Sequence, residues 1–245
     1  MDERLNKMTG RVPADEFKAR VAQVALRAAG DHGFALAGSN ALAAHGIISR
    51  PTEDVDLFAD RPGAVAAGAG LVAAALTEAG LTVTPVAETS DLADVFYGFD
   101  QEMAEYEVSG AGHVVRLQLV HFGRSRPAVM MDIGPVLHLD DLLGSKVAAL
   151  ATRAEARDYA DVAAALATYG REHLIALARR AEPDLADEEF ADAMQRLDGL
   201  DDAVFTRQYG FSPAQARDIR GAFATWPRTA EPQADSRGPD REAGA

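Results

Sequence analysis

The chain has 245 residues, 48% of them hydrophobic, which is enough for one large domain or two small ones around a real core. It has no cysteine, which excludes a disulfide framework, a thiolate metal site and a cysteine nucleophile, and its net charge of −14 excludes a protein that coats nucleic acid non-specifically. The charge is uneven: residues 1–110 hold 8 Lys/Arg against 17 Asp/Glu, residues 111–180 hold 9 against 7 and residues 181–245 hold 7 against 14, so only the middle stretch offers a basic face.

The opening residues, MDERLNKMTGRVPADEF, are charged and lack the apolar centre of a signal peptide. No stretch approaches the roughly 18 consecutive apolar residues of a membrane span, so a soluble cytoplasmic protein without membrane contact is expected. Residues 15–30 space Phe17, Val21, Val24 and Leu26 as an amphipathic helix that stops at Gly30. FALAG (34–38) is a short buried strand ending at a Gly-Ser turn, and NALAAHG (40–46) is a helix closed by Gly46. TEDVDLFAD (52–60) alternates, so Asp54 and Asp56 share one face while Val55 and Leu57 enter the core. An Ala-rich helix follows over 64–80.

Between 81 and 133 the β-branched content rises, and LTVTPV, DVFYGF, EYEVSG, HVVRLQLVHF and AVMMDI read as strands of a mixed sheet. From 139 the chain turns helical: LDDLLGSKVAALATRAEA, then RDYADVAAALATYG, then further helices to about 226, the last with Ser212 as cap and Pro213 in its first turn. Residues 227–245 have little to bury and read as a disordered tail.

Two carboxylates two apart on a strand reach one divalent ion or a close pair of ions, an oxygen-rich arrangement suited to Mg²⁺. A Gly-Ser turn opening a helix adds backbone N–H groups and a hydroxyl for phosphates. By itself a D-x-D pair is weak, since most such pairs are surface charges on an edge strand. The string GSNALAAHGIISRPTEDVDLF (38–58) is far more specific.

That string resembles the first motif of the nucleotidyltransferase superfamily sharing the DNA polymerase β catalytic fold, and most closely its branch of AbiEii/MenT-like toxins. The block LDDLLGSKVAALATRAEARDYADVAAAL (139–166) is similar to the same branch's downstream signature. The resemblance covers roughly residues 34–166. It implies an α/β fold, with a nucleotidyltransferase core of mixed sheet and flanking helices at 1–138 and a helical domain at 139–226 that contributes Lys146 and Asp161 to the cleft. It implies a toxin of a toxin–antitoxin system, with a cognate antitoxin protein, that moves a nucleoside monophosphate from an NTP to RNA, a tRNA 3′ end, using Mg²⁺ or Mn²⁺; no DNA partner is expected.

Residue by residue, the resemblance makes Asp54 and Asp56 the metal ligands and, with Lys146 and Asp161, the catalytic set. Gly38, Ser39, Arg50, Thr52, Lys146 and Arg157 would bind the NTP. Lys146, Arg153 and Arg157 recur at spacings of seven and four, which predicts one helical face turned to nucleotide or RNA. Arg116, Arg124 and Arg126 on strands, with Arg179 and Arg180 on helices, complete the basic region expected to hold RNA. One departure is Gln118, which stands on VVRLQLVHF where the superfamily usually has a third carboxylate; Asp161 is expected to supply that charge. Two alternatives remain: transfer to a protein or a cationic small molecule such as an aminoglycoside, which the acidic surface suits, and a catalytically silent NTP-binding regulator, suggested by Gln118. His45, beside Gly46, reads as a hydrogen-bonded structural residue more readily than as a base.

Overall fold

A computed structural model of the chain describes residues 14–86 and 103–229. The stretch DVFYGF, the first thirteen residues and the end of the tail lie outside the described residues. Helix α1 (Ala14–Ala28) is amphipathic as its spacing requires, burying Phe17, Val21, Ala22, Ala25 and Leu26. After a 3₁₀ turn come β1 (Phe34–Leu36), α2 (Gly38–Ala44), β2 (Val55–Ala59), α3 (Ala64–Glu78), β3 (Thr82–Pro85), β4 (Met103–Gly110), β5 (His113–His121), β6 (Val129–Met131) and β7 (Gly134–Val136). The seven described strands form one mixed sheet in the order β3-β4-β5-β2-β1-β7-β6. β2 runs parallel to β5 and β1 parallel to β7, while the other neighbours are antiparallel.

In β2 the alternation of the sequence becomes two faces. Val55, Leu57 and Ala59 are buried, while Asp56 and Phe58 stand half-buried on the opposite side. The β4–β5 hairpin closes through Ala111 (φ 51°) and Gly112 (φ 82°), the two left-handed positions of a type I′ turn, the first of which an alanine fills only with strain.

The helical part comprises α4 (Leu139–Thr152), α5 (Ala156–Leu166), α6 (Arg171–Ala181), α7 (Asp187–Gly199), a π-helical turn at Val204–Gln208 and α8 (Pro213–Ala222). α8 starts where the sequence signals it, with Ser212 accepting from Gln215 N and Pro213 in the first turn. The stretch expected as one helix through residue 156 breaks instead at residues 153–155. Ala154 adopts φ 57°, and a capping box between Glu155 and Asp158 starts α5 afresh. The local hydrogen bonds to Asp158, from Arg153 and from the Glu155 backbone, outweigh the helical propensity of the Ala-rich sequence there. α4 and α6 pack closely because Gly144 has no side chain: a Cβ there would lie 2.7 Å from Leu177 O. Buried apolar residues of sheet and helices join in one core.

Candidate active site

The metal-type motif sits where β2, α2 and the helical part meet. A cleft of about 310 Å³ is lined by Gly38, Ser39, Arg50, Glu53, Asp54, Asp56, Phe58, Gln118, Ser145, Lys146, Ala149, Arg153, Arg157 and Tyr209. Asp56 lies opposite Gln118 in the β2–β5 register, so the two share a face of the sheet. Asp54 stands one residue ahead of β2.

The Gly-Ser pair differs in detail from its expected place before a helix. Gly38 and Ser39 are the first residues of α2, which begins two residues earlier than Asn40. Gly38 has φ +60°, and a Cβ on it would fall 1.7 Å from Asp56 Oδ2. The glycine is therefore fixed by the carboxylate: Asp56 occupies the space that any side chain at 38 would need. Ala37 N donates to Asp56 O at 2.8 Å, binding the same two segments through the backbone.

Ser39, Arg50, Lys146 and Asp161 form a closed knot at the edge of this cleft. Asp161 on α5 is buried. It accepts from Lys146 Nζ at 2.9 Å, Ser39 Oγ at 3.1 Å, Arg50 Nε at 3.1 Å and Arg50 Nη2 at 2.5 Å. Lys146 and Arg50 also donate to Ser39 Oγ, at 3.2 and 3.1 Å. Burial alone would push the Asp161 carboxyl up, but Lys146 and Arg50 outweigh it and hold it below the ordinary carboxylate value. Asp56 goes the other way: burial and the neighbouring Asp54 raise it, against the pull of Lys146, Arg157 and Arg153. Two carboxylates thus share the cleft with Lys146, Arg153 and Arg157, while buried Asp161 holds two cations at its edge.

The expected single helical face of Lys146, Arg153 and Arg157 does not exist as such. Lys146 is on α4, Arg153 caps its end and Arg157 is on α5, yet the break at Ala154 turns all three into the same cleft. Arg153 is paired with buried Asp158 at 2.7 Å, and Arg157 with Glu155 at 2.8 Å. Thr52, expected at the nucleotide, is buried behind the cleft, where its hydroxyl donates to Asn40 Oδ1 at 2.7 Å. His45 Nε2 meets Leu137 O at 2.8 Å, tying the end of α2 to the chain after β7.

The expected basic region is largely spent on internal pairs. Arg124 and Arg126 lie in the loop after β5 rather than on strands. Arg124 is bidentate to Asp60 at 2.9 and 3.0 Å, and Arg126 faces Asp140 at 3.6 Å. Arg116 pairs with Glu105, Arg179 with Asp187 and Arg180 with Asp140. By contrast Arg207 and Arg217, both exposed, make no ion pair or hydrogen bond among the described residues.

Sequence reasoning missed Tyr209, which lines the cleft from just beyond the π-helical turn and whose hydroxyl burial raises, with Arg157 opposing. It also missed Lys18, a buried lysine whose ammonium meets Thr52 O, Thr52 Oγ1 and Asp15. Only its place on the apolar side of α1, one residue from Phe17, marked it out.

Compared with known proteins, residues 21–239 match the family model described as nucleotidyl transferase AbiEii toxin, type IV toxin–antitoxin system. No curated protein matches. Among solved structures, JHP933 from Helicobacter pylori aligns at 16% identity with a TM-score of 0.51, covering 84% of this chain and 88% of that one. A second H. pylori protein, provisionally assigned as a nucleotidyltransferase, aligns at 16% identity and TM-score 0.50, covering 84% and 90%. MenT4, a nucleotidyltransferase toxin from Mycobacterium tuberculosis, aligns at 14% identity and TM-score 0.48, covering 86% and 85%. The family match spans most of the chain, so the chain belongs to the AbiEii nucleotidyltransferase toxins and is a nucleotidyltransferase.

Proposed function

We propose that this AbiEii-family nucleotidyltransferase transfers a nucleoside monophosphate from an NTP to the 3′ end of an RNA, a tRNA in the first instance, with Mg²⁺ as its metal. The observation that carries the reading is the cleft itself, in which Asp54 and Asp56 face Lys146, Arg153 and Arg157 across a space of about 310 Å³. In the reaction the acceptor hydroxyl oxygen attacks the α-phosphorus, the bond to the β-phosphate oxygen breaks and pyrophosphate leaves, while the hydroxyl proton passes to solvent or a nearby base.

The donor set fits a hard divalent cation. Asp54 and Asp56 offer only oxygen, and among the described residues no third His, Asp or Glu joins them, which leaves ligand positions for water and phosphate as Mg²⁺ prefers. Burial first and the neighbouring Asp54 second raise the Asp56 carboxyl, and a divalent cation bound there would favour its ionised form. When bound there, the metal would neutralise phosphate charge as it develops. Lys146 would hold the β- or γ-phosphate, its ammonium kept in place by Asp161 and Ser39. Arg157 and Arg153, which line the same cleft, would meet the remaining phosphate oxygens. In this reading Asp161 acts through Lys146 and Arg50, and Thr52 acts through Asn40.

For the acceptor, Arg207, exposed and without an ion pair or hydrogen bond among the described residues, stands two residues before the cleft-lining Tyr209, a cation near an aromatic ring of the kind that single-stranded nucleic acid uses. A cognate antitoxin is the partner that membership of a toxin–antitoxin family leads us to expect. Among the described residues no helix is long and apolar enough to cross a membrane. The test is incubation of the pure chain with labelled NTPs and total RNA, with and without Mg²⁺. Metal-dependent label on RNA supports the reading; label on a protein or a cationic small molecule instead replaces the acceptor, and NTP binding without transfer would make the chain a silent regulator, with Gln118 as the natural cause.

A further inference from the structure

Lys18 lies on the side of α1 that packs toward the sheet, behind the cleft and outside the family-matched residues 21–239. Its three ammonium protons have three acceptors: the Thr52 carbonyl, Thr52 Oγ1 at 3.3 Å and the Asp15 carboxylate at 3.0 Å. Thr52 passes the contact on, its hydroxyl donating to Asn40 Oδ1 at 2.7 Å, and Asn40 Nδ2 donates in turn to the carbonyl of Asp54. The two carboxylates of the cleft are held very differently. Asp56 is inside β2, in register with Gln118 and bonded through its carbonyl to Ala37 N. Asp54 precedes the strand, in a segment without regular structure, and its backbone is fixed by Asn40.

We propose that Lys18 is a positioning residue for the divalent-cation site: through Thr52 and Asn40 it sets where Asp54 stands relative to Asp56. An ammonium is a costly filler for a buried position, and a methionine would occupy the same volume without desolvating a charge. A lysine there stabilises one conformation of the segment leading to Asp54. A second cleft, of about 530 Å³ and lined by Lys18, Asn40, Thr52, Asp15 and Asp132 among others, opens on the far side of this chain of bonds. Water entering it can solvate Thr52 when the ammonium is removed, so loss of Lys18 loosens the segment without unfolding the protein.

The inference rests on the reading that Asp54 and Asp56 bind a divalent cation, and the test uses Mn²⁺ alone, with no nucleotide or acceptor. Free Mn²⁺ is followed by electron paramagnetic resonance in titrations of the wild type, Lys18→Met, Thr52→Val and the double variant. Partners of this kind are worth about 10–100-fold in metal affinity. Each single variant should weaken Mn²⁺ by about tenfold, the double variant by no more than either, and Lys18→Arg should recover part of the loss, all with unchanged far-UV circular dichroism. Thr52→Val leaves Lys18 its bonds to the residue-52 carbonyl and Asp15 and removes the hydroxyl that joins it to Asn40, so it decides the matter if Lys18→Met does not fold. Wild-type affinity in a folded Lys18→Met or Thr52→Val, or losses that multiply in the double variant, overturns the proposal. A wild type that takes up no Mn²⁺ overturns the metal reading first, and the role of Lys18 with it.

Discussion

Replacing Gly38 by alanine puts a methyl group where Asp56 keeps its carboxylate. At φ +60° any L-residue carries a left-handed penalty of about 1–2 kcal/mol. The added Cβ would stand 1.7 Å from Asp56 Oδ2 and 2.7 Å from its Cγ, so the aspartate must leave its rotamer at about 0.5–1.5 kcal/mol more. The sum is roughly 1.5–3.5 kcal/mol, a fall in Tm of about 3–14 °C for a chain of this size. The effect on transfer should be much larger, because a displacement of about 1 Å in a reacting constellation costs on the order of 100-fold. Gly46→Ala is the matched control: it has φ +73° with nothing within 4 Å of its Cβ, so it carries the strain without the collision. Calorimetry and initial rates of nucleotide transfer on both variants separate the two contributions. If Gly38→Ala keeps transfer within threefold of Gly46→Ala, Asp56 is not held where the reaction needs it and the reasoning fails.

Four further outcomes are expected. Asp161→Asn leaves Lys146 and Arg50 without their counter-charge and should cost about 3–5 kcal/mol at neutral pH. Because the folded-state pKa of Asp161 is depressed, its stabilisation is present above the ordinary carboxylate value and lost as pH falls through the folded value, so denaturation curves of wild type and variant should begin to approach each other below about pH 4 and meet only below the folded value. Lys146→Ala should weaken NTP binding by about 1.5–3 kcal/mol in an isotherm, and an isotherm that overlays the wild type strikes it from the site. Ala111→Gly should raise stability by about 0.5–1 kcal/mol by relieving the left-handed alanine in the hairpin, with no change in transfer. Arg207→Glu should cut labelling of RNA several-fold at moderate salt while leaving NTP affinity unchanged, as measured by parallel acceptor and NTP titrations. Arg124 cannot serve that test, since its guanidinium is committed to Asp60.

Where the sequence was legible, it was because a pattern had one physical solution. The alternation of β2 can bury Val55 and Leu57 only by turning Asp56 the other way, and Ser212-Pro213 can do little but start a helix. The order of the sheet could not be read, because short strands of similar composition do not encode their neighbours. The joint site of Lys146, Arg153 and Arg157 was anticipated on a wrong premise: a continuous helix would have aligned them, whereas the left-handed Ala154, which no residue type signals, brings them together across two helices. The resemblance makes Asp161 a catalytic carboxylate and Thr52 a nucleotide contact. What sets them apart is burial, and burial depends on which element arrives from far along the chain. Lys18 and Tyr209 fell outside every motif, and only the packing of α1 and of the π-helical turn gives them neighbours.

Transfer of a nucleotide to an RNA 3′ hydroxyl is tested by comparing NTPs labelled at the α- and the γ-phosphate on RNA with native or periodate-oxidised 3′ ends. The α-label alone should enter RNA, native ends should accept it, oxidised ends should not, and Asp56→Asn should abolish it. Incorporation of the γ-label, or equal labelling of oxidised RNA, rules out transfer to a 3′ hydroxyl.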